Sequence, residues 1–391
     1  MRIAAIFLNW FIALLWTWRS LVACRNLPRL PNLLNENAAY ERTQNPQITV
    51  IVPARNEEMA IEQTLRSLLA QRDITIEILA VDDRSTDKTG EIMDRMAAEA
   101  RAQGRSISVI RIKELPAGWM GKTHAMALAA RQATAPWLLF TDGDILFRED
   151  CLHRAISYAE READHLVLFP TLILKSPGER MMLSAFQVLS VLSQRPWKTS
   201  DPKSRDSLGI GAFNLIRSDV YRGIGGYEGH PMEVLEDLKL GYEVKRSGFR
   251  QHVVLGRGLI QVHWAAGTLG IVRNLTKNVF AVFRFRPWLL LAACIATASF
   301  CLMPFSGLFG PWTMRAASLL ALASAFAIYR YCERRINGIP AVYCLLLPVA
   351  ACIIVYMLLR SMIVTLVRRG VVWRGTFYPL SELRKNVGPL R

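Results

Sequence analysis

The sequence predicts an α/β fold, a mostly parallel sheet with helices on both faces, bracketed by apolar helices near each end of the chain. Three observations point there. Runs of branched apolar residues alternate with amphipathic helical patterns from about residue 46 to 286. Uncharged segments of membrane-spanning length flank that stretch on both sides. The composition agrees, because 391 residues carry 48 Lys and Arg against 32 Asp and Glu, yet 52% are hydrophobic. A net +16 on so apolar a chain excludes a disordered basic protein and argues against an ordinary soluble enzyme.

Taken in order, residues 3–18 are uncharged and are followed by Arg19, Arg25 and Arg29. Trp10, Trp16 and Trp18 are bulky, and no small-residue cleavage pattern precedes Pro28, so residues 1–24 read as an anchoring helix rather than a signal peptide. QITVIVPA reads as a buried strand, and NEEMAIEQTLRSLLAQ as a helix capped by Asn56 with Glu57 and Glu58 in its first turn. IEILAVDD is a strand ending in two carboxylates, and STDKTGEIMDRMAAEARAQ is the next helix. ISVIRI, the helix MGKTHAMALAARQA and the strand WLLFTDGDI complete the alternation.

Residues 287–367 hold two or three further spans. No charge occurs in 287–314 or 336–359, and 316–329 reads either as a third span or as a buried packing helix. Arg19, Arg25, Arg29, Arg284 and Arg286 place the intervening domain in the cytoplasm, at the inner face of a multi-pass cytoplasmic membrane protein. Arg330, Arg334, Arg335, Arg368 and Arg369 also read as cytoplasmic, which an odd number of late spans does not satisfy. Residues 368–391 form a basic tail. The seven cysteines show no CxxC spacing, so neither a disulfide framework nor a zinc site is indicated.

In sheets of this kind ligands bind beyond the carboxyl ends of the strands. Pro53, Arg55, Asn56 and Glu57 follow the first strand, Asp82 and Asp83 close the second, and Asp142 and Asp144 follow the fourth. A single carboxylate at a strand end is most often a cap or turn residue. Three clusters on one edge are a stronger signal. TDGD sets two carboxylates around a glycine, a spacing that turns both toward one hard cation.

The ordered set VIVPARNE, VDDRSTDKT, GWMGK, FTDGD and LED resembles the motifs of family 2 glycosyltransferases with the GT-A (Rossmann-like) fold, over about residues 48–286. Within that family the chain is similar to membrane-anchored enzymes acting on lipids, such as ceramide and hopanoid-associated glycosyltransferases. The resemblance implies inverting transfer of a sugar from a nucleotide-sugar, commonly a UDP-sugar, to a lipid acceptor. It implies that Pro53, Arg55, Asn56 and Glu57 line the nucleoside pocket, that Asp83 beside Asp82 contacts the nucleoside, and that Lys122 faces the donor phosphates. Asp142 and Asp144 match the DxD motif that binds Mg2+ or Mn2+, with Asp142 also at the donor. Asp237, beside Glu236, matches the base of the ED motif. A base is needed because an alcohol is a poor nucleophile until its proton is leaving. His230 stands just before it as an acceptor contact.

The chain departs from the processive members, since no QxxRW follows the ED acids. Arg273 and Lys277, four residues apart, either neutralise the departing diphosphate or act as interfacial cations. Single transfer is therefore favoured over polymer synthesis, with a polysaccharide or polyprenyl-phosphate transferase as the alternative and a silent nucleotide-sugar-binding membrane protein as the non-enzyme one. VVWRGTFYPL resembles a WRGxxY-like element of related lipid-directed enzymes and receives no role from its residues. Charge excludes a nucleic-acid partner: residues 41–237 hold 24 basic against 28 acidic side chains, whereas 238–391 hold 20 against 3. The basic surplus lies outside the candidate site.

Overall fold

A computed structural model of the chain describes residues 2–36 and 47–388. Met1, the boundary residue Pro46 and the last three residues of the basic tail lie outside the described residues. The chain divides into two compact units.

The larger unit comprises Leu30–Ile173, Pro196–His263 and Val372–Arg391. Its first half alternates β1 (Ile48–Ala54), α1 (Ile61–Leu69), β2 (Ile76–Asp83), α2 (Thr89–Ala102), β3 (Ile107–Ile112), α3 (Gly121–Ala130) and β4 (Trp137–Phe140). There follow β5 (Ile145–Phe147), α4 (Cys151–Glu162), β6 (His165–Leu168), β7 (Thr171–Leu172), β8 (Asn214–Arg217), α5 (Glu236–Arg246), β9 (Gln251–Val254) and β10 (Ile260–Val262). A hairpin of β11 (Gly370–Trp373) and β12 (Thr376–Pro379) leads into α6 (Leu380–Asn386). The main sheet has the order β3-β2-β1-β4-β8-β6-β9, and β5-β10-β7 form a second sheet. β3, β2, β1 and β4 run parallel, while β8 is antiparallel to both β4 and β6. The predicted mostly parallel sheet with flanking helices is therefore present.

Every residue of β1 is buried, as expected for a strand covered on both faces. Alternate residues serve opposite cores: Val50, Val52, Ile78 and Leu139 pack with Leu65, Met93 and Leu152, whereas Ile51, Leu79, Leu138 and Phe140 pack with Met126, Tyr221 and Leu240. Two local expectations change. β4 ends at Phe140, so TDGD is a turn between strands rather than part of one. Asn56 is no helix cap, since α1 starts only at Ile61. Asn56 instead adopts a positive φ of 56°, which asparagine tolerates, and its side-chain carbonyl accepts the Thr86 N–H at 2.8 Å. Glu57 and Glu58 join that loop, not the helix: the Glu57 N–H donates to Thr89 Oγ1 at 2.7 Å and the Glu58 N–H to Asp87 at 3.1 Å.

The smaller unit comprises Met1–Arg29, Leu174–Arg195 and Trp264–Val371. The boundaries drawn from sequence at 286 and 368 thus differ from the compact units. Segments 174–195 and 264–286 group with the apolar helices, and the tail from Val372 groups with the sheet. Among the described residues, four helical stretches, Ile3–Arg29, Pro287–Phe309, Trp312–Asn337 and Ala341–Arg368, are long and apolar enough to cross a membrane. Segment 316–329 falls inside the third of them. Trp16 stacks on Phe300 with ring centroids 4.1 Å apart and donates its indole N–H to the Phe300 carbonyl at 2.7 Å, satisfying the one polar atom of a buried ring.

Candidate active site

Strand register assembles the candidate residues. Ala54 lies opposite Asp82 and Ile51 opposite Phe140, so the loops leaving β1, β2 and β4 emerge along one edge. The TDGD turn is fastened there from below. Thr64 of α1 donates to the Gly143 carbonyl at 2.9 Å, and Thr141 donates to the Ala212 carbonyl at 2.8 Å.

Lys122, the second residue of α3, joins the acids. Its Nζ is 2.7 Å from Asp142 Oδ1 and 2.6 Å from Glu236 Oε1, bridging the turn after β4 to the start of α5. Burial works against that ammonium, but Asp142, Glu236 and Asp237 outweigh it and hold its pKa well above the usual lysine value. Asp237 accepts the Gly211 N–H at 2.9 Å on one oxygen and the Leu238 N–H at 2.7 Å on the other. Burial and the adjacent Glu236 carboxylate push Asp237 up to about 7, against the pull of Lys122. Asp144 is also pushed up to about 7, by burial and by the charges of Asp142 and Glu57. Four carboxylates thus surround one ammonium. His230 lies 3.4 Å from Glu243, and burial together with Lys239 lowers its pKa.

The loop LGIGAF was not singled out by sequence, yet it closes this cluster. A Cβ on Gly209 would sit 1.8 Å from the Asp237 carbonyl oxygen, and one on Gly211 2.9 Å from Asp142 Oδ2, so only glycine lets this backbone reach the acids. The paired glycines were the available signal.

The part of the edge that follows β1 and β2 is differently built. Asp82 accepts the Ser85 N–H at 3.1 Å and pairs with Arg111 at 2.9 Å, so it holds its own loop. Asp83 pairs with Arg84 at 2.7 Å. α3 begins close against that pair, where a Cβ on Gly121 would lie 2.3 Å from Asp83 Oδ2. Arg55 donates to Thr376 Oγ1 at 2.9 Å, while its Nε is buried without a hydrogen-bond partner. His124 Nδ1, on α3, is likewise buried and unpartnered. Glu57 pairs with Arg374 of the C-terminal hairpin. Sequence reasoning did not single out Arg84 or His124, and it saw the hairpin residues as a motif without placing them here.

The donor set suits a hard divalent cation. Asp142 and Asp144 are oxygen ligands flanking a glycine, and the carboxylate repulsion that raises Asp144 is what a cation relieves. Among the described residues no three His, Cys, Asp or Glu side chains converge to hold a metal unaided. That fits an ion such as Mg2+, which is commonly bound by one or two carboxylates together with substrate phosphates.

Residues 49–224 match the family described as Glycosyl transferase family 2. The match ends before Glu236. A 4,4'-diaponeurosporenoate glycosyltransferase of Staphylococcus haemolyticus is 26% identical over 251 residues, 63% of this chain and 64% of its own length. One from Staphylococcus aureus is 25% identical over 197 residues, half of each chain. The chain therefore spans less than two thirds of the length of these curated relatives. The solved structure of a mannosyltransferase from Pyrobaculum calidifontis, in complex with GDP-Man and Mn2+, is similar with a TM-score of 0.50 and 19% identity, covering 94% of this chain and 97% of that one. The last likeness is one of fold, and it is of the GT-A kind.

Proposed function

We propose that this chain, a member of glycosyltransferase family 2 by the domain it carries, transfers a sugar from a nucleoside diphosphate donor to an apolar acceptor at the membrane, inverting the anomeric carbon. The observation that carries this reading is the Lys122 bridge from Asp142 to Glu236 with Asp237 alongside. Mg2+ or Mn2+ held by Asp142 and Asp144 would neutralise charge on the departing diphosphate. Lys122 supplies a point cation at the same place and ties Asp142 to Glu236. Asp237, anchored by the Gly211 N–H, takes the acceptor hydroxyl proton as the acceptor oxygen bonds to the anomeric carbon. The bond from that carbon to the diphosphate breaks, and its electron pair leaves with the nucleotide. A UDP-sugar is the first donor to test and a GDP-sugar the second, since the archaeal neighbour was solved with GDP-Man.

The relatives' name gives the acceptor a second chemistry. An acceptor of the diaponeurosporenoate type is a carboxylate, which is ionised at neutral pH and needs no base. The two cases separate on one variant. With purified protein, Mn2+ and labelled donor, Asp142→Asn should abolish transfer to either acceptor class. Asp237→Asn should cut transfer to an alcohol by about a thousandfold and transfer to a carboxylate far less. Full turnover by Asp142→Asn would sink the proposal.

Membrane placement follows the same logic. Val372–Arg391 belongs to the compact unit that holds the site, which supports a topology in which the chain leaves and returns on one side. Of the three late candidate helices an even number then cross, and the odd count that conflicted with Arg368 and Arg369 disappears. A reporter fused at the C-terminus should read as cytoplasmic, on the side of the catalytic residues. A reporter exposed on the opposite face would reject this topology.

A further inference from the structure

The hairpin β11–β12 answers to the one motif left without a role, VVWRGTFYPL. Its turn is Arg374–Gly375, both at positive φ (48° and 79°), the geometry of a tight two-residue hairpin loop that Arg-Gly allows. Within the larger unit the hairpin bonds to the loops after β1 and β2 and to the start of α3. Arg374 donates to the Arg55 carbonyl at 2.9 Å and pairs with Glu57. Thr376 accepts from Arg55 at 2.9 Å, and Tyr378 accepts the Gly121 N–H at 3.1 Å. Arg55 and Glu57 are residues expected at the nucleoside pocket, and Gly121 immediately precedes Lys122, expected at the donor phosphates.

We propose that the C-terminal hairpin completes the nucleotide half of the donor site, with Arg374, Thr376 and Tyr378 as positioning residues acting through Arg55, Glu57 and the start of α3. This rests on the donor reading above and deepens it. The chemistry favours a nucleoside diphosphate. Three guanidinium groups, of Arg55, Arg84 and Arg374, gather around the carboxylates of Asp83 and Glu57, leaving this side one cation in surplus. The Arg55 Nε–H and His124 Nδ1 are buried with nothing to bond, two polar atoms that a base or ribose can satisfy. Removing the hairpin contacts leaves Arg55 free to rotate and Glu57 without its counter-charge, so nucleotide binding weakens although no atom of Tyr378 need touch the ligand.

The test uses the full chain in nanodiscs, titrated with UDP and with GDP in Mn2+. Wild type should bind one of them. Arg374→Ala should raise that Kd about tenfold, and Tyr378→Phe severalfold, with the nucleotide-free melting temperature nearly unchanged. Arg374→Lys, which keeps the charge but loses the fork, should restore only part of the loss. In the wild type, amide exchange of residues 372–379 should slow on nucleotide binding, a readout that survives even if a variant fails to fold. Wild-type Kd in both variants, or exchange untouched by nucleotide, would overturn the hairpin's role while leaving the donor reading standing. A wild type that binds neither nucleotide would overturn both.

Discussion

The two halves of the strand-end edge hold charge in opposite ways. On the nucleoside side each acid has its own arginine: Asp82 with Arg111, Asp83 with Arg84, Glu57 with Arg374. On the transfer side Asp142, Asp144, Glu236 and Asp237 share the single ammonium of Lys122. The first half pairs each of these acids within the folded chain and leaves Arg55 over as surplus positive charge. The second is complete only when positive charge arrives, and Asp144 and Asp237, both pushed up to about 7, register that deficit. The proposed binding surface and the proposed reaction centre thus differ in charge balance, although both are built from loops on the same sheet edge.

The sharpest way to break this contrast is to delete one cation from each half. Lys122→Met removes the cation that pairs with both Asp142 and Glu236, its side chain being 25% exposed. We expect turnover to fall at least about a thousandfold and stability to drop by about 3 kcal/mol, since stranding buried charge is costly. Arg111→Met, at 44% exposure, should cost no more than about 1 kcal/mol and leave turnover near wild type. Equal damage from the two would erase the distinction.

A second test reads the deficit through pH. Asp144 and Asp237 have folded-state pKa values near 7, above the ordinary aspartate value of 3.8, so between those limits the folded protein keeps protons that the unfolded chain has lost. Their contribution is greatest below about pH 4 and declines as pH rises to about 7, then stays level. The melting temperature of metal-free protein should carry that decline. Added Mn2+ with nucleoside diphosphate should offset it, giving a larger stabilisation at pH 8 than at pH 5.5, because it favours the ionised carboxylates. A stabilisation that does not change with pH would show that these acids are not where the cation acts.

Much of this was legible in the sequence. The strand and helix alternation gave the sheet, and the acids after β1, β2 and β4 meet because parallel strands deliver their carboxyl ends to one edge. What was not legible depends on long-range approach. Gly209 and Gly211 matter through backbone distances to Asp237 and Asp142 that no local pattern encodes. The hairpin is separated from Arg55 by over 300 residues, so WRGTFY was visible as a motif while its address was not. Asn56 looked like a cap because asparagine before acids usually is one, but asparagine also tolerates the left-handed turn it adopts here. The compact units were not legible for a related reason: the helix Pro177–Gln194 interrupts the sheet's sequence, yet it groups with the apolar helices.

The finest comparison lies within one dipeptide. Adjacent residues of a strand face opposite sides, so Asp82 and Asp83 cannot share a role. Asp82 points toward α2, where a Cβ on Gly90 would lie 2.5 Å from its Oδ2, and it is spent on Arg111 and the Ser85 N–H. Asp83 points toward α3, where Gly121 leads into Lys122. Asp83→Asn should therefore raise the Kd of nucleoside diphosphate about tenfold, by releasing Arg84 and the nucleoside contact together. Asp82→Asn should leave that Kd within about twofold and cost about 1 kcal/mol of stability, since Arg111 keeps Asp94 and the Gly90 carbonyl as partners. If Asp82→Asn weakens nucleotide binding as much as Asp83→Asn, the nucleoside reads both faces of β2, and the division between a self-contained scaffold and a ligand-facing edge has to be drawn one residue further back.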